Sequence, residues 1–212
     1  MKKTLIIVLM MLAGIAHAAN AFSDLPEVTT QINDATCVIS LTGRVTPVML
    51  AEFEKQSQNI EKQNCQEKKV LLNSIGGGTI PAYKIGQLIR QKGYVTYVSL
   101  DSQCNSACGL IFIAGIERII EKSKNKNSHM AFHSWSLSEE ICITTKPNSN
   151  LVDEKYSNFQ IETYNYAIQM LGRDDGIQFG QLIFSIGCKK AVIASAEGLI
   201  TSRIATKVKQ VL

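Results

Sequence analysis

Short apolar runs alternate with stretches of helical spacing from residue 37 onward, and glycine or a polar cluster marks most changes of period. A chain with that rhythm is expected to form an α/β fold, a parallel sheet with right-handed crossover helices. Cys37 to Thr46 alternates apolar and polar residues and is rich in β-branched types, so it reads as a strand. Pro47 to Asn64 is charged, with Met49, Phe53 and Ile60 spaced for one helical face. Val70-Leu71-Leu72 is a buried run that stops at Asn73-Ser74-Ile75-Gly76-Gly77-Gly78, and Tyr83 to Lys92 returns to helical spacing. Val95 to Leu100, Arg118 to Ile120 and Met130 to Phe132 read as further strands, and 153–171 as an amphipathic helix. No internal repeat interrupts this pattern, so residues 36–212 are expected to form one domain. The polar, mixed residues 19–35 are expected to be a loosely held arm.

The first residues bear on the compartment. Lys2 and Lys3 precede an apolar run from Thr4 to Ile15, and Ala16-His17-Ala18 follows as a small-x-small site. That layout predicts a signal peptide over residues 1–18, cleaved after Ala18 or Ala19. The run is short of the roughly 20 residues that span a bilayer, so no membrane span is expected after cleavage. A periplasmic or secreted protein follows. The chain of 212 residues carries a formal charge of +4, and loss of the two leader lysines lowers it further. A balance that mild argues against nucleic acid as a partner.

All six cysteines lie beyond the leader. In an oxidising compartment they predict disulfides. Cys37 and Cys65 precede neighbouring strands and are the first expected pair. Cys104-x3-Cys108 is loosely zinc-like in spacing, but no second pair matches it, so neither a metal nor another cofactor is expected. A disulfide bracing the loop around Ser106, either between these two or to Cys142 and Cys188, is the preferred reading.

Three segments could carry chemistry. Gly76-Gly77-Gly78 directly after a buried strand lets backbone N–H groups approach a ligand, but lacks the lysine of a phosphate loop. A plain tight turn accounts for it equally well. In Gln103-Cys104-Asn105-Ser106-Ala107-Cys108, small residues surround one serine just before an apolar run. Ser106 is either a nucleophile at a helix N-terminus or a capping residue. A nucleophilic serine needs a base. His17 leaves with the leader and His129 adjoins a Lys-rich turn, which leaves His133 as the better candidate.

Taken in order, Leu72-Asn73-Ser74-Ile75-Gly76-Gly77, Ser106-Ala107 before an apolar helix with Ala114-Gly115, then His133, resemble the Clp-type serine peptidase subunit. The chain is similar more closely to exported Clp-like proteins with a Cys-x-Ser-Ala-Cys segment. Both have the crotonase-type fold. The resemblance covers residues 37–135, and Ala196-Glu197-Gly198-Leu199-Ile200 resembles the family's closing segment. It implies a single Clp-protease-like domain, Ser106 as nucleophile and His133 as general base. It also implies an oxyanion hole from the Gly77 and Ala107 N–H groups, a peptide or protein substrate, and self-association into a homo-oligomer. The sequence departs from the family at the third triad position. Counting back from Gly198 reaches Ser185-Ile186, without a carboxylate, and Asp174 and Asp175 lie upstream as helix caps. Ser185 or a backbone carbonyl is left to orient the histidine, and a weakly active or inactive binding protein on the same scaffold is the alternative. Acyl-CoA enzymes share the fold, but export sets them aside.

Overall fold

The computed structural model describes residues 24–126, 128–134, 153–186 and 190–211. Its elements run β1 (Glu27–Asn33), β2 (Thr36–Val45), α1 (Pro47–Glu61), β3 (Glu67–Gly77), α2 (Thr79–Gln91), β4 (Val95–Val98), β5 (Gln103–Asn105) and α3 (Ala107–Phe112). They continue with β6 (Arg118–Lys122), β7 (His129–Phe132), α4 (Asp153–Leu171), α5 (Arg173–Ser185), β8 (Val192–Ala194), α6 (Ala196–Thr201) and β9 (Lys207–Gln210).

β3 is the hub of a curled, mostly parallel sheet. One edge pairs with β2 from Thr36↔Glu67 to Val45↔Gly77. The other edge is shared. Lys69 to Leu71 pair with β4, and further along Ser74 pairs with Cys104 of β5. The sheet therefore forks, into a β4-β6-β9 branch and a β5-β7-β8 branch. Among the described residues, only β1–β2 and β7–β8 are antiparallel.

The expected arm is in part a strand. Glu27 to Asn33 pairs along β2, from Glu27↔Thr42 to Asn33↔Thr36. Its alternation (Val28, Thr30, Ile32) is too polar to stand out, yet Val28 packs against the core and the Thr30 hydroxyl donates to Gln56 Oε1 at 3.0 Å. Pairing with β2, rather than burial, holds this segment. The starts of α1 and α6 follow ordinary capping rules. Thr46 accepts from Met49 N–H at 3.2 Å with Pro47 in the first turn, and Ser195 accepts from Gly198 N–H at 3.0 Å. α1 then buries Met49, Phe53, Ser57 and Ile60, one face at helical spacing.

The first expected pair, Cys37–Cys65, forms, and of the two alternatives for bracing Ser106 the mutual Cys104–Cys108 bond is the one present, with Cα separations of 5.7 and 5.1 Å. Cys142 and Cys188 lie outside the described residues. Cys37–Cys65 closes a separation of 28 residues and Cys104–Cys108 one of 4. In the chain-entropy model the first is worth roughly 3.6 kcal/mol and the second roughly 2 kcal/mol. No helix among the described residues is long and apolar enough to cross a membrane.

α3 sits at the centre, with every residue from Ala107 to Phe112 buried. Its C-terminal carbonyls are cut off from water and must find protein donors. Tyr166 Oη donates to Leu110 O at 2.7 Å and Thr96 Oγ1 to Phe112 O at 2.7 Å. Arg90 Nη2 donates to Ile113 O, Gly115 O and Met170 O at 3.3, 3.1 and 2.6 Å. Arg118 adds Nη1 to Gly115 O at 3.2 Å and Nε to Ile204 O at 2.7 Å. Burial lowers the pKa of both arginines, and for Arg118 the nearby Arg90 charge adds to it. Tyr166, driven well above the ordinary tyrosine range by burial, stays a neutral donor. Tyr166→Phe should strand the Leu110 carbonyl and cost about 1–3 kcal/mol, measurable by urea denaturation with little change in slope.

Candidate active site

Ser106 is the single residue between β5 and α3. Its backbone adopts φ +54°, ψ −123°, and its side chain makes no capping bond to the helix. A capping serine would hold extended φ, ψ and accept from the first turn, so the capping alternative does not describe this residue. Positive φ in a side-chain-bearing residue costs of order 1–3 kcal/mol and persists only where neighbours impose it. Here Ser106 N–H donates to Ala131 O of β7 at 2.8 Å, Gly109 N–H donates to Ser106 O at 2.9 Å, and the Cys104–Cys108 bond spans the turn. Ser106 is half-buried while its neighbour Ala107 is wholly buried. The result is a sharp strand–serine–helix turn, which holds the hydroxyl at the head of the helix. Ala107, first in that helix, has an N–H with no intrahelical acceptor.

The glycine run lies against this turn. A Cβ on Gly76 (φ +93°) would fall 2.6 Å from Asn105 O, 2.7 Å from Ser106 Cβ and 3.1 Å from Ala107 N. Only a glycine lets β3 end so close to the serine. Gly77 and Gly78 follow with exposed backbone. Ser74, buried beneath them, fixes the shelf: its hydroxyl donates to Gly43 O at 2.5 Å and accepts from Gly76 N–H at 3.1 Å. Asn73 Oδ1 accepts from Gln103 N–H at 3.2 Å and ties the same strand end to β5. The Ser74 and Asn73 links were not deduced from sequence, although both residues stand in the motif; a polar pair at the end of an apolar run was the available signal.

His133 follows β7. The parallel register Asn105↔Ala131 sets Ser106 level with Phe132, one residue before His133, so serine and histidine follow the ends of neighbouring strands, which run about 5 Å apart. Among the described residues no hydrogen bond joins the Ser106 hydroxyl to His133; catalytic bonds of this kind often tighten only with substrate. His133 Nδ1 lies 2.6 Å from Ser134 O, and Ser134 itself is fully buried. A carbonyl accepts only, so in the neutral ring this bond puts the proton on Nδ1. Ser185 instead donates to Leu182 O of its own helix at 2.7 Å. Asp174 and Asp175 occupy the first turn of α5, where they suit the helix dipole, and Asp175 pairs with Arg203 at 3.5 Å. His129 begins β7 and is exposed.

The structure thus brings together three of the segments singled out in the sequence: the glycine shelf, the Ser106 turn and the end of β7 with His133. No family model matches the chain, and no curated protein matches it in sequence. Solved structures do match in fold. A peptidase from Plasmodium falciparum superposes with a TM-score of 0.56 at 13% identity, covering 81% of this chain and 94% of its own. A membrane-bound stomatin-specific protease gives 0.56 at 14% identity, with 81% and 77% covered. ClpP1 from Listeria monocytogenes, a point mutant, gives 0.58 at 13% identity, with 82% and 91% covered. The α/β architecture described above, with its curled and mostly parallel sheet, is the Clp-peptidase-like fold.

Proposed function

We propose that this protein is an exported serine hydrolase, a Clp-like peptidase, that cleaves peptide or protein substrates with a Ser106/His133 pair. The observation that carries the reading is the Ser106 backbone, held at φ +54° and ψ −123° with no cap to justify it. A strained serine between a strand end and a helix N-terminus is the arrangement that exposes a nucleophile. The peptidases among the fold neighbours agree with it, and two disulfides agree with a periplasmic or secreted location after removal of residues 1–18.

In this mechanism Ser106 Oγ attacks the scissile carbonyl carbon and its proton passes to His133 Nε2. The C=O becomes a tetrahedral oxyanion, held by the N–H groups of Gly77 and Ala107 at the positive end of α3. The imidazolium returns its proton to the leaving amine as the C–N bond breaks, and water then releases the acyl group by the reverse sequence. The Ser134 carbonyl fixes the tautomer that a base needs. The sequence carries no carboxylate at the position where the family places its third triad member, so turnover should be slow for this class. That same feature favours one second reading, a binding protein with residual catalysis on the same scaffold. As with other Clp-type subunits, self-association belongs to this proposal.

A fluorophosphonate probe should label the protein at Ser106, and Ser106→Ala should abolish labelling without loss of fold. His133→Ala should slow labelling by about 10²–10⁴-fold. No labelling of well-folded protein would overturn the hydrolase reading, whereas an unchanged cellular role for both variants would establish the binding one. Gly76→Ala, with its Cβ driven into Asn105 O and Ser106 Cβ at positive φ, should also lose labelling and about 1–3 kcal/mol of stability. Mass mapping of the labelled peptide and thermal melts check both.

A further inference from the structure

We propose that the Cys104–Cys108 disulfide is a redox-set positioning element: its formation locks Ser106 into the reactive turn, and the reduced chain is folded but unreactive. This rests on the hydrolase reading above and adds a control over the same site.

The bond joins the middle of β5 to the second residue of α3, with Ser106 midway between its ends. Both cysteines are fully buried. Two backbone hydrogen bonds, Ser106 N–H to Ala131 O and Gly109 N–H to Ser106 O, also hold the turn, but the second can be exchanged, its Gly109 N–H moving from the Ser106 carbonyl to the Ser106 hydroxyl. The covalent link adds a tether between strand end and helix start, whose Cα atoms lie 5.1 Å apart. Without it, Ser106 has an ordinary alternative, in which it relaxes to extended φ and its hydroxyl accepts from the Cys108 or Gly109 N–H as a helix cap. In that state Oγ serves the helix and is withdrawn from an attacking position. Two states of one residue, reactive turn and helix cap, are thus separated by one covalent bond.

The two disulfides divide the work. Cys37–Cys65 closes the longer loop and contributes more to global stability. It lies at the opposite end of the strands: Cys37 pairs with Lys68, eight residues before Gly76 on β3, about 26 Å away along the strand. Cys104–Cys108 closes a short loop, so its main effect is local, on the geometry it spans. In the oxidation, the two thiols lose two protons and two electrons as the S–S bond forms. An acceptor disulfide, from a thiol–disulfide oxidoreductase or a low-molecular-weight disulfide, takes them up and becomes a dithiol. Activation is thereby coupled to arrival in an oxidising compartment.

The test compares fluorophosphonate labelling rates and thermal melts of the oxidised protein with two double variants. Cys104→Ser with Cys108→Ser should label about 100-fold more slowly, the loss expected for a misplaced nucleophile, while its melting temperature falls less than that of the other variant. Cys37→Ser with Cys65→Ser should melt earlier yet label at the oxidised wild-type rate. As a second arm that does not depend on that variant's folding, the wild-type protein is reduced, refolded under reductant and reoxidised; labelling should return in step with the Cys104–Cys108 peptide seen by mass mapping. Equal labelling by the Cys104/Cys108 variant, or recovery that tracks Cys37–Cys65, would overturn the proposal. Failure of the oxidised wild type to label would instead overturn the hydrolase reading.

Discussion

Burying α3 on every side is the constraint on which the rest of the structure depends. A fully apolar helix at the centre of the molecule has nowhere to send its last carbonyls, and water cannot reach them. The chain answers with Tyr166, Thr96 and two arginines drawn from α4, β4, α2 and β6. Gly115 O alone accepts from both Arg90 and Arg118. These cations neutralise the negative end of the helix. Its positive end is left facing Ser106, where negative charge would develop on an acyl substrate. The stabilisation of the core and the polarity of the candidate site are one arrangement seen from two ends.

Much of the fold was legible because it rests on local periodicity. The β2, β3, β4, β6 and β7 strands, and the helices α1, α2 and α4, follow apolar spacings that any reader of residues 37–171 meets. β1 was not legible as a strand. Its side chains alternate without strong hydrophobicity, and what secures it is a partner strand rather than a core. The Arg90 and Arg118 contacts were likewise invisible, since an arginine in sequence carries no sign that its partners are carbonyls tens of residues away. At the candidate site, the glycine shelf and the serine turn were read from small residues in order. Their meeting came only as an implication of the resemblance, in the oxyanion hole of Gly77 and Ala107; the residues alone do not show it, because the approach of Gly76 to Ser106 depends on how β3 hands over from β4 to β5.

The histidine shows where reading by analogy stops. Counting along the chain found no carboxylate where one was expected, and left Ser185 and a carbonyl as substitutes. Ser185 is bonded within its own helix, whereas His133 meets the carbonyl of the very next residue. An orienting group supplied by the adjacent peptide has no sequence signature at all. It also sets the tautomer without adding charge, a distinction between geometry and electrostatics that a residue-type motif does not make.

The fork in the sheet has a consequence for how the molecule breathes. β3 is held along its whole length by β2, by three successive residues to β4, but to β5 through the Ser74↔Cys104 pair and the Asn73–Gln103 bond. The leaf made of β5, β7 and β8 therefore hangs from the hub by a narrow hinge. It is thereby suited to open as a separate unit, ahead of β2 and β3, which are paired along more of their length. The candidate site thus sits on a platform that can flex as a leaf while the central strands stay closed.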